Sequence, residues 1–593
     1  MSESEQGTDG LGPEKLAAAV QHAVTQSQQL FEQFVFRGQI GANALDPLGV
    51  GASFQRFALQ LARNPLPLWE AQWRLWQESL GAWQTAVGKL GEKSPAPATN
   101  PQDRRFRDPE WNTNPLYDFI RHTYLIFANS LLQLTSHTDG LEAKDAQKVA
   151  FYTRQFVDAI SPTNFALTNP EVVRATIEQG GANLVEGLKH FLEDIDPATG
   201  QLRTKMVDSS AFELGRNIAT TPGSVVYQND LMQLIQYAPT TGRVFRRPLL
   251  IVPPWINKFY VLDLQPGNSF IRWAVEQGHT VFVISWVNPG AELRDKDFVD
   301  YMKEGPLAAM DAIEAATRER SFNLIGYCLG GTLLAATLAY MHAKNDSRVN
   351  SATYFTAMID FSEPGDLGVF IDEQQIDQIE KEMAARGFLD GKEMAATFNL
   401  MRASDLIWSF VINNYLLGKS PAPFDLLYWN SDSTRMPARM HSTYLRKMYM
   451  ENLLSKPGGV ELEGVALDLR QVAVPSCFVS AVEDHIAPWK STFEGAKLFS
   501  GPVEFILGKA GHIAGIINPP GPKCYGHYTG PEPSGSPEQW LKDATFDNQS
   551  WWTVWARWAA PHGGGQVEAR KPGDGALPRL EAAPGSYARL RLS

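Results

Sequence analysis

The run Gly326-Tyr327-Cys328-Leu329-Gly330-Gly331 constrains this chain more than any other stretch of it. It follows the apolar segment Phe322-Asn323-Leu324-Ile325 and leads into Thr332-Leu333-Leu334-Ala335-Ala336. That order reads as strand, tight turn and helix, with a thiol at the apex of the turn. So sharp a turn strains the backbone and presses helix against strand. Glycines at 326, 330 and 331 leave out the side chains that would obstruct it. The helix N-terminus behind the turn favours negative charge, and so a thiolate at Cys328. The plainer reading of a Cys among glycines is core packing.

A G-x-nucleophile-x-G elbow is the mark of the α/β-hydrolase fold, where an acid and then a His follow the nucleophile along the chain. Both are present in that order. The strand-like Pro475-Ser476-Cys477-Phe478-Val479-Ser480 runs into Ala481-Val482-Glu483-Asp484-His485. The strand-like Val503-Glu504-Phe505-Ile506-Leu507 runs into Gly508-Lys509-Ala510-Gly511-His512. Each candidate lies in a loop just past a strand end, where such sheets place their chemistry. Cys328 is therefore read as nucleophile, Asp484 as orienter and His512 as base. Glu483 is the alternative acid and could leave Asp484 a solvated carboxylate. His485 is the alternative base, but a His adjacent to the acid is poorly placed to turn its ring back onto it. Cys477, inside a strand, is expected to be an inert core thiol, and Cys524 has no partner that suggests a role.

The strands needed for a mostly parallel sheet are legible around the elbow. Ser224 to Gln228 and Leu231 to Tyr237 read as an opening hairpin. Leu249-Leu250-Ile251-Val252 and Val281-Phe282-Val283-Ile284-Ser285 are continuous apolar runs, as in strands buried on both faces. Ala352 to Thr356 is a further strand, and Ser269 to Gln277 and Leu307 to Arg318 supply helices. Residues 360 to about 470 then leave the pattern, with helical segments and aromatics such as Trp408, Tyr415, Tyr428 and Trp429. Such an insertion between nucleophile and acid is read as a mobile cap shielding the thiol from water. The loop Pro253-Pro254-Trp255-Ile256-Asn257 follows the first of the parallel strands, the position of an oxyanion-hole loop. The backbone N–H groups of Leu329 and Ile256 are the candidate donors.

At 593 residues the chain exceeds one ordinary domain. The expected division is a helical N-terminal domain, 1–205, and a catalytic domain, 206–593, with a linker near 94–101. Ser161 to Asn164 is a turn and helix-start signal. Trp69, Trp73, Trp76 and Trp83 recur at helical spacing, a stripe read as helix packing in preference to a partner or amphiphile surface. Three cysteines exclude a disulfide scaffold and fit a reducing cytosol. A net charge of −12 argues against a nucleic-acid surface. The acidic start Met1-Ser2-Glu3-Ser4-Glu5 predicts no secretory signal. The long uncharged run Leu324 to Tyr340 contains the elbow and reads as buried strand and helix, so no membrane span is expected. With no metal-ligand cluster and no phosphate loop, no bound cofactor is expected.

Four segments together carry a family resemblance. They are Pro253-Pro254-Trp255-Ile256-Asn257-Lys258-Phe259-Tyr260-Val261-Leu262-Asp263-Leu264, the elbow, Glu483-Asp484-His485-Ile486-Ala487-Pro488-Trp489, and Gly511-His512-Ile513-Ala514-Gly515-Ile516-Ile517-Asn518-Pro519-Pro520. Over about residues 100 to 593 the chain resembles the polyhydroxyalkanoate synthases. Its length, helical N-terminal part and closing Ala583-Pro584-Gly585-Ser586-Tyr587 resemble the class I enzymes, which need no second synthase subunit. Trp255 stands where small residues, Cys or Phe are also familiar, which leaves the assignment intact. The resemblance implies polymerisation of (R)-3-hydroxyacyl-CoA, of short side chain, with release of CoA at the surface of cytoplasmic granules. It also implies an active homodimer. A cysteine hydrolase of esters or thioesters shares the triad and differs in admitting water. An inactive granule-coat protein is disfavoured by the intact Cys328, Asp484 and His512.

Overall fold

The computed structural model describes residues 49–89, with backbone alone from 82, and residues 103–136, 140–197, 200 and 202–591. The linker read at 94–101 and the first 48 residues lie outside these. The chain divides into two compact units, residues 1–204 with 403–419, and residues 205–402 with 420–593.

The first unit is helical. Its longer helices span Val50–Arg63, Leu66–Lys89, Pro115–Ser136, Ala143–Ala159 and Ala182–Glu193. Phe106, Trp111, Tyr117, Tyr124, Ala128 and Val157 close a small core among them. The helix-start signal at Ser161 to Asn164 yields only a short 3₁₀ turn, Pro162–Asn164. The next helix begins at Pro170 instead, where Asn169 accepts hydrogen bonds from the N–H groups of Glu171 and Val172. Residues 403–419, expected to stay with the cap, group with these helices. The π-helical turn Val411–Leu416 lies against Ala182–Glu193 so closely that a Cβ on Gly187 would meet Tyr415 O at 1.9 Å.

Among the described residues the tryptophan stripe is exposed instead of packed. Trp69, Trp73 and Trp76 are 67%, 60% and 56% exposed, and Trp83 lies where side chains are not described. Helix Leu66–Lys89 packs on Pro115–Ser136 through another face, on which Arg74 bonds Gln133. Periodicity locates a face of a helix, and only tertiary contacts decide whether that face is covered.

The second unit is built on an eleven-stranded sheet. Its strands are β1 (Gly223–Gln228), β2 (Met232–Tyr237), β3 (Leu249–Val252), β4 (Val281–Trp286), β5 (Phe322–Tyr327), β6 (Val349–Phe355), β7 (Ser476–Ala481), β8 (Val503–Gly508), β9 (His527–Thr529), β10 (Thr545–Asp547) and β11 (Glu581–Ala582). They lie in the order β10-β9-β8-β7-β6-β5-β3-β4-β2-β1-β11. The strands β4-β3-β5-β6-β7-β8 are parallel, and β1 and β2 form the antiparallel hairpin expected at the start. This is the α/β-hydrolase fold.

Alternation along the strands divides the core into two layers. Leu250, Val252, Leu324, Tyr354, Phe478 and Phe505 face one layer, which helix Leu329–Ala343 completes. Ile251, Val283, Ile325, Phe355, Cys477 and Ile506 face the other, closed by Trp551, Trp552 and Trp555. Each such side chain removed from water contributes about 1.5–3 kcal/mol, so the sheet is a rigid platform for the loops at its edge. Among the described residues no helix is long and apolar enough to cross a membrane.

Candidate active site

Cys328 sits between β5 and helix Leu329–Ala343 with φ 51° and ψ −121°, a conformation that L-residues rarely adopt. Strain of this kind costs about 1–3 kcal/mol and persists only where the surroundings enforce it. Here the Cys328 N–H donates to Phe355 O at 2.9 Å, and Cys328 O accepts from Gly331 N at 2.8 Å. The glycines do what the sequence required of them. A Cβ on Gly326 would lie 2.4 Å from Gly331 Cα, and one on Gly330 would lie 2.0 Å from Val252 O. The thiol is half-buried where the two core layers meet.

Asp484 and His512 come together beside it. Asp484 leaves the loop after β7, and its Oδ1 accepts from the N–H groups of Ile486 at 2.9 Å and Ala487 at 2.8 Å. Its Oδ2 stands 2.7 Å from Nδ1 of His512, in the loop after β8. The two loops are tied to each other by Glu483 N donating to Ala510 O at 2.9 Å. The alternatives separate cleanly: Glu483 is exposed, and His485 does not bond the Asp484 carboxylate. Burial holds His485 neutral, lowering its pKa to about 4.

Burial also opposes protonation of His512, but the Asp484 carboxylate and the facing Cys328 sulfur outweigh it. Its pKa is raised to about 10. The Tyr327 ring stacks on His512 at 5.9 Å between centroids.

Several residues that shape the site gave no sequence signal. Trp551 Nε1 donates to Gly515 O at 2.7 Å and Trp552 Nε1 to Ile516 O at 2.8 Å, which fixes the His512 loop from below. Tyr444 and Tyr449, from the insertion between β6 and β7, interact electrostatically with Cys328. Their rings pack edge to face at 5.3 Å. They lie in the π-helical turn Tyr444–Met450, whose i→i+5 pattern aligns residues five apart on one face. A search for helical spacing of 3.6 passes over such a pair.

The loop after β3 lies beside the elbow, since Val252 pairs with Gly326 across the parallel strands. Pro253 and Pro254 offer no N–H, so Trp255 and Ile256 carry the first donors there. Trp255 itself is buried among Trp286, Phe298 and Tyr301. Cys477 is fully buried in β7, and burial pushes its thiol pKa up. Cys524 lies in a loop, its Sγ 3.6 Å from Asn548 O. Among the described residues no cluster of His, Cys, Asp or Glu is placed to hold a metal ion.

Comparison with known proteins bears on what this site serves. A family model described as poly-beta-hydroxybutyrate polymerase N-terminus matches residues 102–274, and one described as alpha/beta hydrolase fold matches residues 247–519. The chain is 48% identical over 554 residues to a poly(3-hydroxyalkanoate) polymerase of Methylorubrum extorquens, covering 93% of this chain and 91% of that one. It is 45% identical over 564 residues to the PhaC subunit of the poly(3-hydroxyalkanoate) polymerase of Rhizobium etli, covering 94% and 88%. Against the corresponding subunit from Cupriavidus necator the identity is 39% over 535 residues, with 89% of each chain covered.

Proposed function

The chain belongs to the poly(3-hydroxyalkanoate) polymerase family, and from that premise we propose that it is a class I enzyme joining short-chain (R)-3-hydroxyacyl-CoA monomers into polyester through an acyl chain held on Cys328. It is an acyltransferase-type enzyme. The observation that carries the mechanistic reading is the Asp484–His512 bond of 2.7 Å beside a thiol at a strained elbow.

With Nδ1 engaged by Asp484, His512 presents Nε2 to the thiol, takes its proton and leaves a thiolate. The thiolate attacks the thioester carbonyl of the monomer. The oxyanion is held by the N–H groups of Leu329 and Ile256, each worth on the order of 3 kcal/mol of transition-state stabilisation. The tetrahedral adduct expels CoA, whose sulfur recovers the proton from His512. One thioester has replaced another, so the acyl group stays activated, which a serine ester would not allow. His512 then accepts the proton of the 3-hydroxyl of a second acyl group as that oxygen attacks the Cys328 thioester. An ester bond forms, the Cys328 sulfur leaves and takes the proton back from His512, and the lengthened acyl-CoA returns to Cys328 by the same thioester exchange.

The buried Tyr444, the half-buried Tyr449 and the apolar layers on either side of the thiol support exclusion of water, which favours transfer over hydrolysis. The family resemblance supports a homodimer acting at the surface of cytoplasmic polymer granules. Incubation with 3-hydroxybutyryl-CoA tests the reading: CoA release with high-molecular-weight polyester is expected. Free 3-hydroxybutyrate in its place assigns a hydrolase, and absence of CoA release rejects both.

A further inference from the structure

The peptide between Trp255 and Ile256 is held from the cap. Trp255 O accepts a hydrogen bond from Thr434 Oγ1 at 2.7 Å, and both residues are buried. In a planar trans peptide the C=O and the following N–H point in opposite directions. The bond to Thr434 therefore fixes where the Ile256 N–H points. Neighbouring bonds lock the same stretch: Asn257 bridges Ser433, and Lys258 O accepts from Trp429 Nε1 at 2.7 Å.

This contact is anchored by a buried charge pair. Lys258 Nζ lies 2.7 Å from Asp432 Oδ1, with both side chains at most 3% exposed. Asp432 Oδ2 accepts from Tyr260 Oη at 2.8 Å. Lys258 Nζ also donates to Ala588 O at 2.9 Å and Leu590 O at 2.8 Å, near the end of the chain. A buried ion pair is a weak source of stability and is better suited to fixing geometry. Here it joins three separate parts of the sequence at the loop beside the elbow.

We infer that Thr434 is a positioning residue for acyl transfer: its hydroxyl orients the Trp255–Ile256 peptide so that the Ile256 N–H faces the developing oxyanion, and the Lys258–Asp432 pair holds Thr434 in place. The inference rests on the proposed acylation of Cys328. Alkylation of Cys328 by iodoacetamide displaces iodide at a saturated carbon and needs no oxyanion donor, whereas acylation by 3-hydroxybutyryl-CoA does. The two rates, measured on one protein, separate a misplaced donor from a damaged thiol.

Thr434→Val keeps the shape and removes the hydroxyl. It is expected to slow single-turnover acylation about tenfold, less than outright loss of a donor. Iodoacetamide labelling should stay within about twofold of wild type, and Thr434→Ser should restore acylation. The effect is expected in kcat and not in KM. Wild-type acylation in folded Thr434→Val overturns the inference, as does an equal fall in alkylation. If Thr434→Val does not fold, the paired replacement Lys258→Met with Asp432→Leu carries the same expectation and the same overturning outcomes. Wild-type protein that releases CoA without labelling Cys328 removes the acyl-enzyme reading itself, a result distinct from any shown by the variants.

Discussion

Nδ1 of His512 lies 2.7 Å from Oδ2 of Asp484 across 28 residues of sequence, while the adjacent His485 makes no bond to that carboxylate. Loop geometry accounts for the choice. Asp484 spends Oδ1 on the N–H groups of Ile486 and Ala487, which turns the chain carrying His485 away and leaves Oδ2 for the loop after β8. The Asp484 side chain is fully buried, so its interaction with His512 is little screened by solvent.

That pairing predicts a division of labour. Forming a thiolate asks less of the base than activating an alcohol, a much weaker acid. Asp484→Asn is expected to retain a measurable first release of CoA and to lose chain growth by about 100-fold or more, with His512→Ala poor at both. Rapid-quench kinetics with labelled monomer resolves the phases. Equal losses in Asp484→Asn would show that one base does not serve both steps.

The raised pKa of His512 has a signed consequence. Protonation is favoured by folding, so its stabilising contribution is fully present below about 6.5, the unfolded value. That contribution is lost as pH rises through the folded value of about 10. The melting-temperature gap between wild type and His512→Ala should therefore shrink between pH 7 and pH 10. At pH 7 the variant should also alkylate at Cys328 more slowly, since it has lost the base that takes the thiol proton. A gap that widens with pH would contradict the raised pKa of His512.

The three thiols should behave differently. Cys328→Ala is expected to abolish polymerisation in a folded protein. Cys477→Ala removes a buried sulfur from β7 and should cost about 1 kcal/mol of stability with activity largely kept. Cys524→Ser, in a loop, should change little. Melting curves beside CoA-release assays check all three, and an active Cys328→Ala would end the mechanism proposed here.

Gly330 offers a structural test. Gly330→Ala places a methyl group 2.0 Å from Val252 O, where only main-chain movement relieves the clash. A loss of about 3 kcal/mol is expected, with the Cys328 elbow and the loop after β3 displaced together. Denaturant melts measure it, and a neutral Gly330→Ala would mean the elbow is looser than described.

The exposed tryptophans give the opposite expectation. Trp69→Gln, Trp73→Gln and Trp76→Gln should each alter stability by no more than about 0.5 kcal/mol, as surface changes do. A loss of several kcal/mol in any of them would restore the packing reading that their exposure of more than half contradicts.

Sequence alone determined the features whose physics is local. The glycines around Cys328 are dictated by clashes within a few residues, and the apolar runs at 249–252, 281–285 and 322–325 by burial on both faces of one sheet. Chain order in a known sheet architecture then brought Asp484 and His512 forward as partners of the thiol. What sequence left undecided depends on contacts between distant segments. The tryptophan stripe was visible as a face, but its exposure rests on which side of the helix meets Pro115–Ser136. Residues 403–419 read as cap and group with the N-terminal helices, because Gly187 admits Tyr415 at a distance that no pattern in either segment announces. Tyr444 and Tyr449 share a face only because the helix there widens to an i→i+5 turn. Thr434, Lys258 and Asp432 carry no motif, and the hydrogen bonds that give them meaning span up to 332 residues. Local sterics and periodicity are written in neighbouring residues, whereas the direction of a single N–H beside the thiol is set by whatever the folded chain brings against the other side of its peptide.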